Sequence, residues 1–256
     1  MLRNRVIPTL LLSEGGLYKT TKFAHPTYVG DPINAIKIFN EKEVDELIVL
    51  DISATKNKQE PDFDLIEQFA SECFIPLTYG GGVQTLKQAE KIFSLGIEKI
   101  CVQSQFVIDG NFVKTMVDNF GSSSIVASID LKRNWRRQIL VHDYVTGKPS
   151  KQNWMELINK YINSGVGEIF LNCVDKDGTR SGPDIDLIEQ VAAHTRIPLI
   201  ACGGISSLSD IQDIIRCGAD AVAAGSFFVF HGPHRAVLIT YPEYNDLVMT
   251  LNDKKA

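Results

Sequence analysis

The chain has 256 residues, 44% of them hydrophobic and 22% charged, and its formal net charge is −5. This length and composition allow one large buried core, so we expect one domain over residues 1–256. The acidic balance excludes a field that would hold nucleic acid or an anionic membrane surface. No stretch approaches the roughly 18 apolar residues of a membrane span.

The cysteines and the N-terminal segment indicate the cellular compartment in which the protein folds. Five cysteines lie scattered, mostly within apolar runs, at positions 73, 101, 173, 202 and 217. This pattern is typical of reduced core residues in a cytoplasmic protein, so we expect neither disulfides nor a metal site. The N-terminal apolar run is short and broken by Pro8, which favours a strand over a signal peptide.

Strands and helices alternate along the chain. The first predicted strand covers residues 5–12, and a long loop over residues 13–30 carries Lys19 and Phe23. A loop of that length is usually a functional lid or disordered. Asp31 followed by Pro32 indicates the start of the first helix. Further strands are predicted at residues 46–52, 75–79, 97–102, 124–131 and 168–173, and before Gly203 and Gly225.

Two later segments complete the order of elements. Alternation over residues 138–141 predicts a small hairpin at residues 135–146, inserted in the loop after the fifth strand. Residues 243–252 are predicted to form the last helix. The chain therefore contains eight strand-helix units.

An internal repeat selects the fold. Residues 62–107 reappear without a gap as residues 184–229, so that Gly81 matches Gly203 and Ser104 matches Ser226. Eight strand-helix units in a chain close to the roughly 250 residues of a typical (βα)8 barrel fit that architecture. An open doubly wound sheet has the same alternation, but a duplicated half-barrel closes naturally. We expect an α/β TIM barrel built from half-barrels of about residues 1–120 and 121–256.

Glycines and serines follow equivalent strands in both halves. Glycine lets a backbone approach a ligand closely, and amides with a hydroxyl suit a phosphate dianion, although such glycines also relieve crowding in turns. Their occurrence in both halves predicts a ligand with a phosphate at each end. The predicted phosphate-binding residues are Gly81, Gly82, Gln103, Ser104, Gly178, Gly203, Gly204, Gly225 and Ser226.

Four carboxylates lie at strand ends between these two pockets: Asp51, Asp130, Asp175 and Asp177. In a barrel, the loops after the strands collect on the face where active sites lie. A carboxylate there can serve as a general acid or base, or it can simply cap a helix or hold a loop. Asp130 is the strongest catalytic candidate.

One basic cluster stands out in the acidic chain. Lys132, Arg133, Arg136 and Arg137 fall at the predicted hairpin after the fifth strand. A solvated loop and an anion site are both compatible with this pattern.

The motifs together resemble the cyclase subunit (HisF type) of imidazole glycerol phosphate synthase over essentially the whole chain. The resemblance rests on residues 5–8 with Lys19 and Phe23, residues 50–54, 80–82, 129–130 and 175–182, and the closing residues 218–220. It implies that a HisH-like glutaminase docks on the N-terminal face and releases ammonia. The ammonia crosses the barrel and reacts with a bis-phosphorylated ribulosyl substrate, giving imidazole glycerol phosphate and an aminoimidazole carboxamide ribotide.

The resemblance also implies roles for particular residues. The expected catalytic residues are Asp130, Lys19, Asp51 and Asp177, with no cofactor and no metal. The family's ammonia entrance is a ring of four charges, and the matching residues here are Arg5, Glu46, Lys99 and Glu168. An ordinary ion-pair cluster that seals the barrel is the alternative explanation of this ring.

The chain departs from the family at a decisive position. The family uses two catalytic aspartates, and Asp130 matches the second, but Leu11 stands in the place of the first. Because leucine cannot move a proton, we expect a loss of about 3–5 kcal/mol of transition-state stabilisation. Gln103, Ser104, Asn172 and Cys202 are smaller departures from the family pattern.

Three hypotheses follow. The first is a divergent paralogue that supports amidation of a bacterial surface sugar, from acetamido to acetamidino, together with a separate sugar amidotransferase. The second is an authentic histidine-biosynthetic cyclase in which Asp51 or Asp177 replaces the missing group. The third is a non-catalytic scaffold and ammonia conduit, which the intact phosphate pockets disfavour.

Overall fold

A closed barrel of eight parallel strands forms the centre of the molecule. The computed structural model describes residues 4–104, 110–232 and 234–252. The barrel strands are β1 Arg5–Ser13, β2 Leu47–Asp51, β3 Leu77–Gly80, β4 Lys99–Val102, β5 Ile125–Arg133, β6 Glu168–Cys173, β7 Leu199–Cys202 and β8 Ala221–Ala224. Each strand pairs in parallel with the next, and β8 pairs with β1. Closure confirms the predicted TIM barrel and excludes an open sheet.

One helix follows each barrel strand and covers the outside of the sheet. The helices are α1 Pro32–Glu41, α2 Phe63–Glu72, α3 Leu86–Ser94, α4 Gly110–Phe120, α5 Trp154–Ser164, α6 Ile185–His194, α7 Leu208–Arg216 and α8 Tyr244–Asn252. The predicted start of α1 is confirmed, since Asp31 accepts a hydrogen bond from the amide of Asn34 and Pro32 begins the helix.

The helices of the two repeats begin with the same kinds of N-terminal cap. Asp62 and Asp184 cap α2 and α6 by accepting hydrogen bonds from backbone amides three residues later. Thr85 and Ser207 each form a reciprocal capping box at the start of α3 and α7. The sequence repeat is therefore also a structural repeat. The last three residues of its first copy, 105–107, lie outside the described residues.

The core has two layers because strand side chains alternate between the two faces of the barrel wall. The outer layer joins the strands to the helices and includes Phe39, Phe69 and Ile92. The inner layer fills the barrel with Ile7, Ile48, Cys101, Val126, Phe170, Ile200, Cys202, Ala221 and Ala223. All five cysteines are free, and three of them are buried.

The segment after β1 differs from the prediction. Residues 13–30, predicted as a long loop, contain the strands Gly16–Thr21 and Ala24–Gly30, which form an antiparallel hairpin on the end of β1. We call it the β1 hairpin. Leu17 and Lys19 alternate inward, but a lysine on the buried face conceals this period in the sequence. The prediction of an irregular loop was therefore wrong.

The insertion after β5 forms the predicted hairpin with shifted limits. The end of β5 is its first arm and pairs with Ile139–Asp143, which then pairs with Lys148–Pro149. Short elements complete the described chain: helices Ala54–Asn57 and Ser226–Val229, the 3-10 turn Ser122–Ser124, and strands Phe230–His231 and Ala236–Val237. None of the helices in the described residues is both long and apolar enough to cross a membrane.

Candidate active site

A cavity of about 850 Å³ opens at the C-terminal ends of the barrel strands. Each strand, or the residue just after it, contributes to the lining. The floor of the cavity is formed by side chains of the inner barrel layer, including Cys101, Phe170 and Cys202. This is the face on which TIM-barrel active sites lie.

Asp130 lies in β5 within this cavity and is 3% exposed. The side-chain amide of Gln103 donates a 2.6 Å hydrogen bond to its carboxylate. Burial raises the pKa of Asp130 to about 7, and hydrogen bonds from Gln103 and Asn172 oppose that rise. Asp130 can therefore gain or lose a proton near neutral pH, as a general acid or base must.

Lys19 and Asp177 form a second titratable pair in the same cavity. Lys19 is 4% exposed and donates a 2.5 Å hydrogen bond to the backbone oxygen of Thr9. Burial lowers the pKa of Lys19 to about 8, against the attraction of Asp177. Burial also raises the pKa of Asp177, whose carboxylate accepts a hydrogen bond from the hydroxyl of Thr20 at 3.0 Å. The β1 hairpin carries both Lys19 and Thr20.

The other two predicted aspartates, Asp51 and Asp175, accept hydrogen bonds from backbone amides. Asp51 accepts hydrogen bonds from the amides of Ser53 and Ala54 at 2.8 and 2.9 Å, just before the short helix Ala54–Asn57 and at its first residue. Asp51 also lines the cavity. Asp175 accepts a 2.7 Å hydrogen bond from the amide of Arg133, which ties the segment after β6 to the end of β5.

The predicted phosphate-binding residues gather at the same face in two groups. Gly81, Gly82, Gln103 and Ser104 line the main cavity. Gly178, Gly203 and Gly204 line an adjoining cleft of about 20 Å³, and Gly225 and Ser226 line both spaces.

Two of these turns require glycine. Gly81 has a φ of +118°, and a Cβ atom there would lie 2.4 Å from the backbone oxygen of Asp51. Gly204 has a φ of +91°, and its Cβ would lie 2.3 Å from the backbone oxygen of Gly182. The glycines therefore bring backbone close to backbone, which is enough to explain their presence. Phosphate binding stays a prediction.

Four charged side chains close a ring at the opposite end of the barrel, which we call the charge ring: Arg5, Glu46, Lys99 and Glu168. Arg5 contacts Glu46 at 2.6 Å and Glu168 at 2.9 Å, while Lys99 contacts Glu46 at 3.0 Å and Glu168 at 3.2 Å. Thr78 donates a further hydrogen bond to Glu46 at 2.9 Å. Each cation thus lies between two anions. Its predicted role as an ammonia entrance is not decided by this geometry.

A family model described as a histidine biosynthesis protein matches residues 5–234 of the chain. The chain belongs to the HisF family of imidazole glycerol phosphate synthase subunits. The provisionally named subunit hisF2 of Pseudomonas aeruginosa is 51% identical over 96% of this chain and 99% of its own. The provisionally named hisF3 of Vibrio vulnificus is 43% identical over 94% of each chain. The subunit HisF of Streptomyces griseus is 34% identical over 88% of this chain and 90% of its own.

Leu11 separates this HisF-family chain from the pattern of two aspartates that the family resemblance implies. Leu11 lines the cavity that contains Asp130 and pairs along the sheet with Leu50, which also lines it. The wall contributed by β1 and β2 is consequently apolar at this level. Within the described residues, the hydroxyl of Thr9 and the side-chain oxygen of Asn172 are buried without a hydrogen-bond partner.

Sequence reasoning missed the aromatic contacts that hold the β1 hairpin over this HisF-type cavity. The ring of Phe23 lies 5.8 Å from those of both His142 and Tyr144 in the hairpin after β5. The hydroxyl of Tyr144 donates to the backbone oxygen of Ile52, and Lys56 lies 3.9 Å above the Tyr144 ring. The aromatic residues of the predicted hairpin, and Phe23 in the segment after β1, were the available signals. Phe23 is more than a hundred residues away from that hairpin.

Proposed function

We propose that this chain is a HisF-like subunit that receives ammonia from a HisH-like glutaminase and supports amidation of a bacterial surface sugar. In this proposal the sugar's acetamido group becomes an acetamidino group, and a separate sugar amidotransferase completes the transfer. The observation that carries the proposal is Leu11 in the wall of the cavity that contains Asp130. The fold of the family and a cavity that contains Asp130 are present, whereas leucine stands where the family resemblance implies a second aspartate.

The arrangement along the barrel axis supports transport of ammonia. The charge ring lies at the N-terminal end, an apolar interior follows, and the cavity lies at the C-terminal end. A neutral molecule crosses an apolar interior at much lower cost than an ion does. A glutaminase docked over the ring would therefore supply ammonia in a form that the interior tolerates.

The N-terminal face also carries an apolar feature suited to a protein partner. Phe74 lies in the turn between α2 and β3 and is 85% exposed. Its amide donates a 2.8 Å hydrogen bond to the side chain of Asn40 near the end of α1, which fixes the turn. Exposed, fixed aromatic residues are typical anchors of protein interfaces. This feature supports docking of the glutaminase at that face.

The names of the relatives are compatible with a paralogue. Relatives that are 51% and 43% identical carry the numbered names hisF2 and hisF3. Relatives named HisF without a number are 46%, 43% and 34% identical. Numbered and unnumbered relatives therefore overlap in identity, and the proposal rests on Leu11 and not on these names.

A second candidate function is authentic cyclisation with relocated proton transfer. The observation in its favour is the buried pair of Lys19 and Asp177. Burial lowers the pKa of Lys19 and raises the pKa of Asp177, so both shift toward neutral pH. Asp177 would then take the part of the missing aspartate. The first proposal is preferred because leucine stands at position 11, in the wall of the cavity, where the family resemblance implies a second aspartate.

The test is ammonia-dependent turnover of the bis-phosphorylated ribulosyl substrate by the wild-type protein and by Leu11→Asp. We expect an inert wild type and a gain of about 100-fold or more over background in Leu11→Asp, the size of a general acid-base contribution. Leu11→Asn is the matched control, since it has nearly the same shape and cannot transfer a proton. Wild-type turnover at ordinary enzyme rates would instead establish the second candidate.

A further inference from the structure

Two aromatic side chains protrude from opposite ends of the barrel. Phe74 at the N-terminal face is 85% exposed, and Trp135, in the hairpin after β5 on the C-terminal face, is 83% exposed. Among the described residues, the next most exposed large apolar side chain is Met249 at 63%. The proposed glutaminase explains Phe74 but leaves Trp135 without a role.

The turn that carries Trp135 is held rigidly by its own hydrogen bonds. We call residues 134–138, between the arms of the hairpin after β5, the Trp135 turn. The side-chain oxygen of Asn134 accepts hydrogen bonds from the amides of Arg136 and Gln138, both at 2.9 Å. The Asn134 side-chain amide donates to Gln138 at 2.8 Å, and the Arg137 amide donates to the Asn134 backbone oxygen at 2.9 Å.

Arg133 fastens this turn to the outer helices. Its guanidinium contacts Asp184 at 2.7 Å and Asp186 at 2.6 Å, at the start of α6. The same guanidinium donates to the backbone oxygen of Arg137 at 3.0 Å. One member of the basic cluster is thus neutralised and serves to hold the other members in place.

The other three positive charges of the basic cluster are free to bind a partner. Lys132, Arg136 and Arg137 form no ion pair with any residue that the structure describes. The Arg136 guanidinium lies 4.5 Å from the centre of the Trp135 ring. The turn therefore presents an indole and the two positive charges of Arg136 and Arg137 on a chain whose net charge is −5. A complementary surface must be acidic.

A merely solvated loop requires neither an exposed indole nor a fixed backbone. Tryptophan and arginine are the residues enriched in the energetic centres of protein interfaces. A turn held in one conformation before binding also loses little conformational entropy when it binds. We propose that the Trp135 turn is the docking surface for a second protein with an acidic patch, the enzyme that takes up the nitrogen leaving the barrel mouth. This identity of the partner rests on the proposed function.

The first experiment identifies the partner with the full chain in its own cells. A photo-crosslinking amino acid replaces Trp135 in one strain and Phe74 in another. We expect position 74 to crosslink to a glutaminase and position 135 to a different protein. No crosslink at position 135, or a crosslink to the glutaminase, would overturn the proposal.

The second experiment measures the affinity of the purified partner for the barrel in complex with its glutaminase. Trp135→Ala and Arg136→Gln should each weaken binding by about tenfold or more, as expected at an interface centre. Binding should also weaken as salt screens the charges. Met155→Ala, which removes an exposed apolar side chain outside the turn, is the matched control. Equal affinity for Trp135→Ala and the wild type would refute the docking surface.

A third measurement separates this inference from the proposed function. With glutaminase and partner both present, Trp135→Ala should leave glutamine hydrolysis unchanged and reduce incorporation of nitrogen into the acceptor. If the glutaminase fails to bind the barrel at all, the proposed function fails, whereas the crosslink at position 135 still tests the turn. Binding of the turn to anionic vesicles in place of a protein would also overturn the inference.

Discussion

The carboxyl group of Asp130 lies in surroundings that disfavour its ionised form. It is nearly fully buried, and burial raises its pKa from 3.8 to about 7 despite donated hydrogen bonds from Gln103 and Asn172. The folded chain therefore binds this proton more tightly than the unfolded chain does. The stability associated with the proton is complete below about pH 4 and is lost as the pH rises to about 7. A buried charge that costs stability at neutral pH is typical of a functional site.

Replacement of Asp130 by Asn is predicted to abolish any ammonia-dependent turnover, including the turnover expected of Leu11→Asp, and to stabilise the protein. The gain in free energy of unfolding should reach at most about 4 kcal/mol at pH 8 and be smaller at pH 5, because only the ionised carboxylate is disfavoured. Urea unfolding at the two pH values measures the difference. Asp118→Asn changes a 63% exposed aspartate and serves as the control. A variant that is less stable than the wild type at pH 8 would contradict the burial cost.

Several residues of the site lie where the sequence predicted them. Asp130, Lys19 and Asp177 do line one cavity, as strand ends and the family resemblance had indicated. Gln103, predicted to bind phosphate, donates its side-chain amide to Asp130. The sequence could not distinguish these roles, because the contact joins two strands and depends on their relative register. The catalytic and phosphate-binding roles themselves stay predictions.

The β1 hairpin is the element that completes the cavity. It carries Lys19 into the site and docks on the segment after β6, where the Lys22 amide donates a 2.9 Å hydrogen bond to the backbone oxygen of Asp177. Gly178 permits this contact, since a Cβ atom there would lie 1.9 Å from the backbone oxygen of Thr20. The two segments approach more closely than any side chain at position 178 would allow.

Gly178→Ala is predicted to displace the β1 hairpin, whereas Gly147→Ala is not. Both glycines have φ near +67° (+66° and +68°), but a Cβ atom at Gly147 has no neighbour within 4 Å. Each variant should lose about 1–2 kcal/mol of stability from the left-handed backbone, and Gly178→Ala should lose more. Limited proteolysis within residues 13–30 reports the displacement. Equal cleavage rates in the two variants would show that Gly178 does not govern docking of the hairpin.

Some helices and strands were predicted accurately and others were missed, depending on the residues within each segment. Periodic apolar residues and capping residues determined β1, α1, α2 and α3 to within a few residues. The β1 hairpin was missed because its inward-facing residues include Lys19, which breaks the apolar alternation that identifies a strand. A lysine is tolerated there because it meets the backbone oxygen of Thr9 and lies near Asp177.

At the scale of the whole molecule, the charge ring unites four strands from both halves of the chain. Glu46 is the most buried member, at 2% exposure of its side chain, against 14% for Glu168. Glu46 also accepts the hydrogen bond from Thr78. Loss of its charge leaves Arg5 and Lys99 to share one remaining anion.

Glu46→Gln is therefore predicted to destabilise the protein by up to about 3–5 kcal/mol, the range for breaking a buried ion pair. Glu168→Gln is the matched control and should cost less, because its site is more exposed and lacks the threonine hydrogen bond. Thermal or urea unfolding at pH 7 gives both values. A larger loss in Glu168→Gln would reverse the order that burial predicts.

The sequence by itself determined the order of elements, the internal repeat, the helix starts and the set of polar residues at strand ends. These features depend on spacing and chemistry within a few residues, and with the family resemblance they gave the closed barrel. Only the tertiary structure decided that Gln103 contacts Asp130, that the β1 hairpin buries Lys19, and that the four ring charges alternate in sign around one end. These contacts join residues far apart in the chain, and their distances follow from closure of the barrel and the register between its strands, which no local pattern specifies.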